Sequence, residues 1–115
     1  MEPAHALADL LAASPQVQAA TIFDHDEAFA SVGLSNRSAT AAMRAGKALL
    51  ENAGGLRGVG EATQVHASLA RGDVFVVGRQ GGPSILAVTP ARQPAGVLFR
   101  DLKRCLSSIR SEAWE

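Results

Sequence analysis

Two neighbouring segments in the second half of the chain are almost entirely apolar at strand length. Residues 74–77 consist only of valine and phenylalanine, and residues 84–89 hold Ile85, Leu86 and Val88. A strand points successive side chains to opposite faces of its sheet, so a strand that is apolar on both sides needs cover on both faces. These segments therefore predict central strands between two layers of helix.

The remaining segments supply those layers and the rest of the sheet. Helical spacing of apolar residues predicts α-helices over residues 3–13, 39–53 and 95–110. Composition and alternation predict strands over 17–23, 28–32 and 62–69, and turns over 24–27, 71–73 and 79–83. The order is α-β-β-α-β-β-β-α, in one domain spanning 1–115 with a core of about 4–110 and a tail over 111–115.

The two later helices have contrasting patterns. Leu98, Leu102, Cys105 and Ile109 form one apolar stripe on the last helix, flanked by Phe99 and Leu106. The middle helix is rich in alanine, which lets another surface approach closely. Candidate N-caps at 35–38 precede it, and the Gly54-Gly55 pair is expected to end it by allowing positive φ.

The predicted strand over residues 62–69 alternates in polarity. Val65 and Ala67 lie on one side, whereas Gln64 and His66 lie on the other. This alternation is typical of a strand with one covered face and one wetter face. His66 is open to two interpretations: an ordinary strand histidine, or a pH-sensitive group at a dimer seam.

Three stretches of sequence resemble a known family. They are VQAATIFDHD at 17–26, the alanine-rich segment 39–50, and SILAVTP at 84–90 followed by GVLFR at 96–100. Together they resemble the roadblock / dynein light chain family, which includes bacterial regulators of Ras-like GTPases, over nearly the whole chain. Glu27 stands where the family usually has glycine, so the geometry of the first hairpin turn is expected to differ.

The resemblance implies a fold and a dimer. The fold is a three-layer α/β/α sandwich with a five-stranded antiparallel sheet in order 2-1-5-4-3, helices 1 and 3 on one face and helix 2 on the other. In the implied dimer the third strand pairs with its copy and the middle helices pack together, which is one use of an unpaired edge strand. The predicted interface residues are Met43, Gly46, Lys47, Leu50, Gln64, Val65, His66 and Ala67. The alternative is that the middle helix packs only on its own sheet.

Charge and composition limit the classes of partner that we expect. The formal net charge is zero, so the basic excess that is typical of nucleic-acid binding is missing. No apolar run approaches the ~20 residues that span a bilayer. The N-terminus lacks the basic segment of a signal peptide, and the single cysteine excludes an internal disulfide. We therefore expect a cytoplasmic protein with no membrane insertion and no nucleic-acid partner.

Motifs that could carry chemistry do not reach the required pattern. The glycine-rich run 54–60 follows a helix and precedes a strand, the reverse of a dinucleotide-binding turn. Gly46-Lys47 matches the end of a P-loop motif, but the first glycine of that motif and the Ser or Thr after the lysine are missing. The acidic turn 24–26 lacks a distant metal ligand, and Cys105 belongs to an apolar stripe. We expect no catalytic site, no metal and no cofactor.

The function expected from the resemblance is that of a non-enzymatic homodimeric adaptor. It would bind a Ras-like small GTPase and bias its nucleotide-dependent switch. Two alternatives stay open: a structural scaffold subunit that ignores nucleotide, and a small-molecule sensor, which needs a polar-lined cavity. Arg37 and Arg79 lie in predicted loops, but no arginine finger is expected, and Trp114 is either a free tail residue or a partner anchor.

Overall fold

The computed structural model describes residues 2–24, 27–57, 64–70, 72–78 and 82–109. In these ranges the elements are α1 (Pro3–Ala13), β1 (Ala19–Asp24), β2 (Glu27–Val32), α2 (Asn36–Arg57), β3 (Gln64–Leu69), β4 (Gly72–Val77), β5 (Ser84–Thr89) and α3 (Ala95–Ser107). The expected element order is confirmed. The predictions for residues 25–26, 58–63, 71, 79–81 and 110–115 lie outside the described residues.

The five strands form one antiparallel sheet in the order β2-β1-β5-β4-β3. β5 lies at the centre, where Ile85 pairs with Ile22 of β1 on one side and with Val77 of β4 on the other. The strands expected to be apolar on both faces are thus inner strands. β2 and β3 form the two edges, and the sheet order is the one implied by the resemblance.

Two separate apolar clusters cover the two faces of the sheet. α1 and α3 pack against one face, where Leu7, Leu98 and Leu102 meet Ile22 and Phe75. α2 packs against the other face in a smaller cluster of Phe23, Met43, Leu50, Val76 and Leu86. The three-layer architecture is therefore confirmed. The predicted apolar stripe is also confirmed, because all six of its residues are buried, although α3 ends at Ser107 and Ile109 lies just beyond it.

α2 begins earlier and ends later than its sequence predicts. The Ser35 side-chain oxygen accepts a hydrogen bond from the backbone N–H of Ser38 at 3.1 Å, which caps the first turn. The prediction that Gly54-Gly55 ends the helix is wrong, because α2 continues to Arg57. Glycine lowers the stability of a helix interior by about 1 kcal/mol per position without breaking its hydrogen bonds, so neighbouring residues can carry the helix through.

The turn predicted over residues 71–73 is also corrected. Gly72 already pairs with Leu69 and opens β4, and Asp73 is a strand residue with only 2% of its surface exposed. A Cβ on Gly72 would lie 2.5 Å from the carbonyl oxygen of Thr89. Glycine is needed here for close approach to β5 as well as for its positive φ of 158°.

None of the helices in the described ranges combines the length and the apolar composition needed to cross a membrane.

Candidate functional site

β3 presents an unpaired edge. It pairs with β4 from Gln64 to Leu69, and among the described residues no strand lies on its other side. Such an edge exposes backbone N–H and C=O groups in strand geometry and is a template for another strand. The edge is therefore the first candidate for an interaction surface.

The side chains of β3 alternate between the two faces as expected. Val65 packs against the cluster beneath α2, and Ala67 is half-buried on the same side. His66 lies on the opposite face, opposite Phe75 of β4. The four predicted interface residues of β3, from Gln64 to Ala67, thus follow one another along the edge strand, with side chains alternating between the two faces of the sheet.

Three of the four interface residues predicted on α2 are buried within the single chain. Met43 and Leu50 are 3% and 1% exposed. Gly46 is buried too, and a Cβ there would lie 3.2 Å from both Leu86 and Phe23. Lys47 is half-buried at the flank of the helix. The side of α2 that faces outward instead carries Ala41, Arg44, Ala45, Ala48, Glu51 and Asn52.

A hydrogen-bonded pair of His66 and the buried Asp73 links β3 to β4. Nε2 of His66 donates a hydrogen bond to Oδ2 of Asp73 at 3.0 Å. The His66 ring stacks on Phe75 with ring centroids 4.3 Å apart, and Phe75 meets Phe99 of α3 edge-on at 5.3 Å. Because the His66 side chain is 30% exposed and that of Asp73 only 2%, the pair joins the surface to the core.

The surroundings of Asp73 favour its charged form. The hydrogen bond from His66 is the largest cause of a lowered pKa at Asp73, and burial opposes it. The backbone amides of Gln93 and Arg92, together with the charge of His66, lower this pKa further. An ionised carboxylate can only accept hydrogen bonds, so Nε2 of His66 carries the proton in this pair. Sequence reasoning missed Asp73 because it was assigned to a turn.

A groove opens beside this pair at the hairpin end of β3. Its cavity volume is about 500 Å³, in the range of small-molecule sites. We name this cavity the β3 groove. It is lined by His66, Ser68, Leu69, Ala70, Asp73, Ala91, Arg92 and Gln93. They come from β3, from β4 and from the connection between β5 and α3. Arg92 has a left-handed backbone with φ of 66°.

The described residues offer little for metal or thiol chemistry. No three His, Cys, Asp or Glu side chains within these ranges converge into a set that could hold a metal ion. The thiol of Cys105 is buried and donates to the carbonyl oxygen of Ala6 at 3.4 Å. Burial, with a smaller contribution from Asp9, raises the pKa of this thiol to about 11, so it stays protonated. This confirms the prediction that Cys105 is a core residue.

The fold is shared with solved structures of low sequence identity. A Roadblock/LC7 domain from Streptomyces avermitilis has a TM-score of 0.84 at 18% identity, with all of both chains covered. Myxococcus xanthus MglB has a TM-score of 0.64 at 15% identity over 90% of this chain and 78% of its own. An MglB described with a tetrameric arrangement has a TM-score of 0.70 at 16% identity over 91% of this chain and 82% of its own.

No family model and no curated protein matches the sequence. Identities of 15–18% establish the fold alone. The chain therefore has the Roadblock/LC7 fold, as the sequence resemblance implies.

Proposed function

We propose that this chain is a non-enzymatic homodimeric adaptor that binds a Ras-like small GTPase and biases its nucleotide-dependent switch. The observation that carries the proposal is the unpaired edge of β3, backed by α2, in a chain with the Roadblock/LC7 fold. The resemblance of the sequence to a family with bacterial GTPase regulators supplies the class of partner. The occurrence of MglB among the structures with this fold is consistent with it.

The strand part of the proposed dimer uses the edge of β3. Two copies pair antiparallel along Gln64, Val65, His66 and Ala67, so that one sheet continues across both. This pairing satisfies the outer backbone groups that β3 otherwise leaves to water. A stable interface of this kind buries roughly 1,200–2,000 Å² in total, which requires the helices to take part as well.

The helix part of the proposed dimer uses the outward side of α2. Ala41, Ala45 and Ala48 are exposed and spaced by four and three residues, so they share one side of the helix. Small side chains there let a second α2 approach closely. These alanines take the place of Met43, Gly46 and Leu50 in the expected interface, and Lys47 stays at its flank.

The dimer presents a rigid surface to the GTPase, and its regulatory effect depends on affinity. A partner shifts a two-state switch only by as much as its affinities for the two states differ. The adaptor therefore binds the GTP-loaded and GDP-loaded forms unequally and needs no catalytic group of its own. Arg37 lies exposed in the first turn of α2, whereas Arg79 lies outside the described residues.

The dimer is tested by a charge on the outward side of α2. Ala45→Glu places two like charges in the proposed helix contact, and we expect the dimer dissociation constant to rise at least about tenfold, a cost of roughly 1.4 kcal/mol. Ala8→Glu, at an exposed alanine of α1, is the matched control and leaves dimerisation unchanged. Sedimentation velocity measures both, and a wild-type monomer at micromolar concentration would refute the proposal.

The regulatory role is tested separately. A Ras-like GTPase from the same genome is loaded with GDP or with a non-hydrolysable GTP analogue, and its affinity for the wild-type chain is measured by calorimetry. Unequal affinities support regulation. Equal affinities favour a nucleotide-independent scaffold, and no binding to either form removes the GTPase from the proposal.

A further inference from the structure

We propose that the β3 groove binds a carboxylate attached to a short aliphatic group, either a free small acid or the C-terminus of a protein segment. Neither the dimer nor the GTPase is needed for this inference. It rests on the hydrogen-bonding groups, the backbone conformation and the apolar wall of the groove.

Three polar side chains of the groove have donors without a partner in the described part of the chain. The Arg92 guanidinium forms no ion pair with any residue in the described ranges, and the Ser68 hydroxyl forms no hydrogen bond with them. The side-chain amide of Gln93 is likewise without a hydrogen bond to the described part of the chain. A guanidinium has only donors, and the other two groups can also donate. The arrangement therefore suits a ligand that accepts hydrogen bonds.

The one carboxylate in the groove is already engaged. Asp73 accepts from His66, and the backbone amides of Gln93 and Arg92 also lower its pKa. In the described ranges Asp73 pairs with His66 and forms no ion pair with the Arg92 guanidinium. The guanidinium is thus not neutralised by Asp73, and its charge stays available to a bound anion.

Arg92 has an uncommon backbone conformation. A φ of 66° is uncommon for a residue with a side chain, and such conformations persist only where surrounding structure holds them. The Arg92 backbone amide is one of the groups that lower the pKa of the buried Asp73 carboxylate, so Arg92 lies near that carboxylate. Both residues line the β3 groove, and Arg92 is exposed there.

The apolar residues of the groove favour a ligand that carries an aliphatic group. Leu69 is 59% exposed, and Ala70 and Ala91 are also exposed beside it. A ligand with an aliphatic group would cover this surface, whereas inorganic phosphate would leave it in water. A single guanidinium also matches one carboxylate, because the planar fork binds it through two parallel hydrogen bonds. The volume of about 500 Å³ accommodates a group of this size.

The binding test uses four probes with the full chain. They are 4-methylpentanoate, 4-methylpentanamide, the peptide acetyl-Ala-Ala-Ala-Leu with a free carboxylate, and the same peptide as its C-terminal amide. NMR titration follows the backbone amides of Leu69, Ala70 and Gln93. We expect saturable shifts with a carboxylate and none with the matching amide. Shifts with both carboxylates indicate that a free acid suffices, and shifts with the peptide alone indicate a chain terminus.

Variants separate the groove from general charge effects. Arg92→Gln should weaken carboxylate binding by about tenfold or more, since it removes a charge-assisted hydrogen bond. Arg92→Gly should weaken it equally while relieving the positive φ, so a folding defect cannot explain the loss. Arg100→Gln, at a side chain 65% exposed on α3, is the control and should bind like wild type. Equal binding of acids and amides, no binding of any probe, or wild-type affinity of Arg92→Gln would each overturn the inference.

Discussion

The inner side of α2 makes a sharp prediction at Leu50. This side chain is 1% exposed and packs with Phe23, Met43, Val76 and Leu86. Truncating a fully buried leucine to alanine costs 2–5 kcal/mol, so we expect Leu50→Ala to lower the free energy of unfolding by about 3 kcal/mol. A chain of 115 residues has an unfolding entropy of about 0.24 kcal/mol/K, so the melting temperature should fall by about 12 °C.

The assay has to separate folding from assembly. Urea unfolding is followed by circular dichroism at two protein concentrations, because dimerisation makes apparent stability depend on concentration. Glu51→Ala, at an exposed position of the same helix, is the control and should change the free energy of unfolding by less than about 0.5 kcal/mol. The reasoning is refuted if Leu50→Ala weakens the dimer but alters the unfolding free energy by less than about 1 kcal/mol.

Three further predictions concern buried polar groups. The Ser14 hydroxyl, buried at the end of α1, donates to Asp101 of α3 at 2.6 Å, so Ser14→Ala should lower the unfolding free energy by about 2 kcal/mol in urea titrations. An unchanged value would show that water replaces this bond. The protonated Cys105 thiol should react with a disulfide reagent at mildly alkaline pH only as fast as the protein opens, and at once in guanidinium chloride; rapid labelling of the folded protein would contradict its burial. Because the pKa of Asp73 is lowered from 3.8 on folding, its ionisation stabilises the fold above that value, and this contribution is lost as pH falls through the ordinary carboxylate range. The stability difference between wild type and Asp73→Asn should therefore shrink below about pH 4, and a difference that does not change with pH would refute the assignment.

Much of the architecture follows from local pattern. α1 and β5 have the bounds expected from their sequence, and α3 ends within three residues of its predicted end. These elements have dense apolar patterns bounded by proline or turn residues, so residues close in sequence are enough to determine where each element begins and ends. The sheet order could not be predicted from local pattern. It was implied by the family resemblance and not by any periodicity.

Glycine is where local interpretation failed. Gly54-Gly55 suggested a helix end and Gly72 a turn, yet both predictions required knowing what surrounds the backbone. At Gly72 the deciding atom is the carbonyl oxygen of Thr89, which is distant in sequence. The β3 groove was missed for the same reason, because His66, Asp73 and Arg92 come from three separate segments. No spacing rule brings such residues together before the topology is known.

The two sides of α2 differ in burial, so the packing of the core and the proposed dimer contact can be tested separately. Apolar or small residues occur around much of the helix, so composition does not reveal which side meets the sheet. The buried line Ala39, Met43, Gly46 and Leu50 repeats at four, three and four residues, and this repeat identifies the inner side. Ala45 belongs to the opposite side, where it is exposed. Changes at Leu50 should therefore alter folding first, and changes at Ala45 should alter assembly alone. A variant at Ala45 that unfolds the monomer would contradict this division.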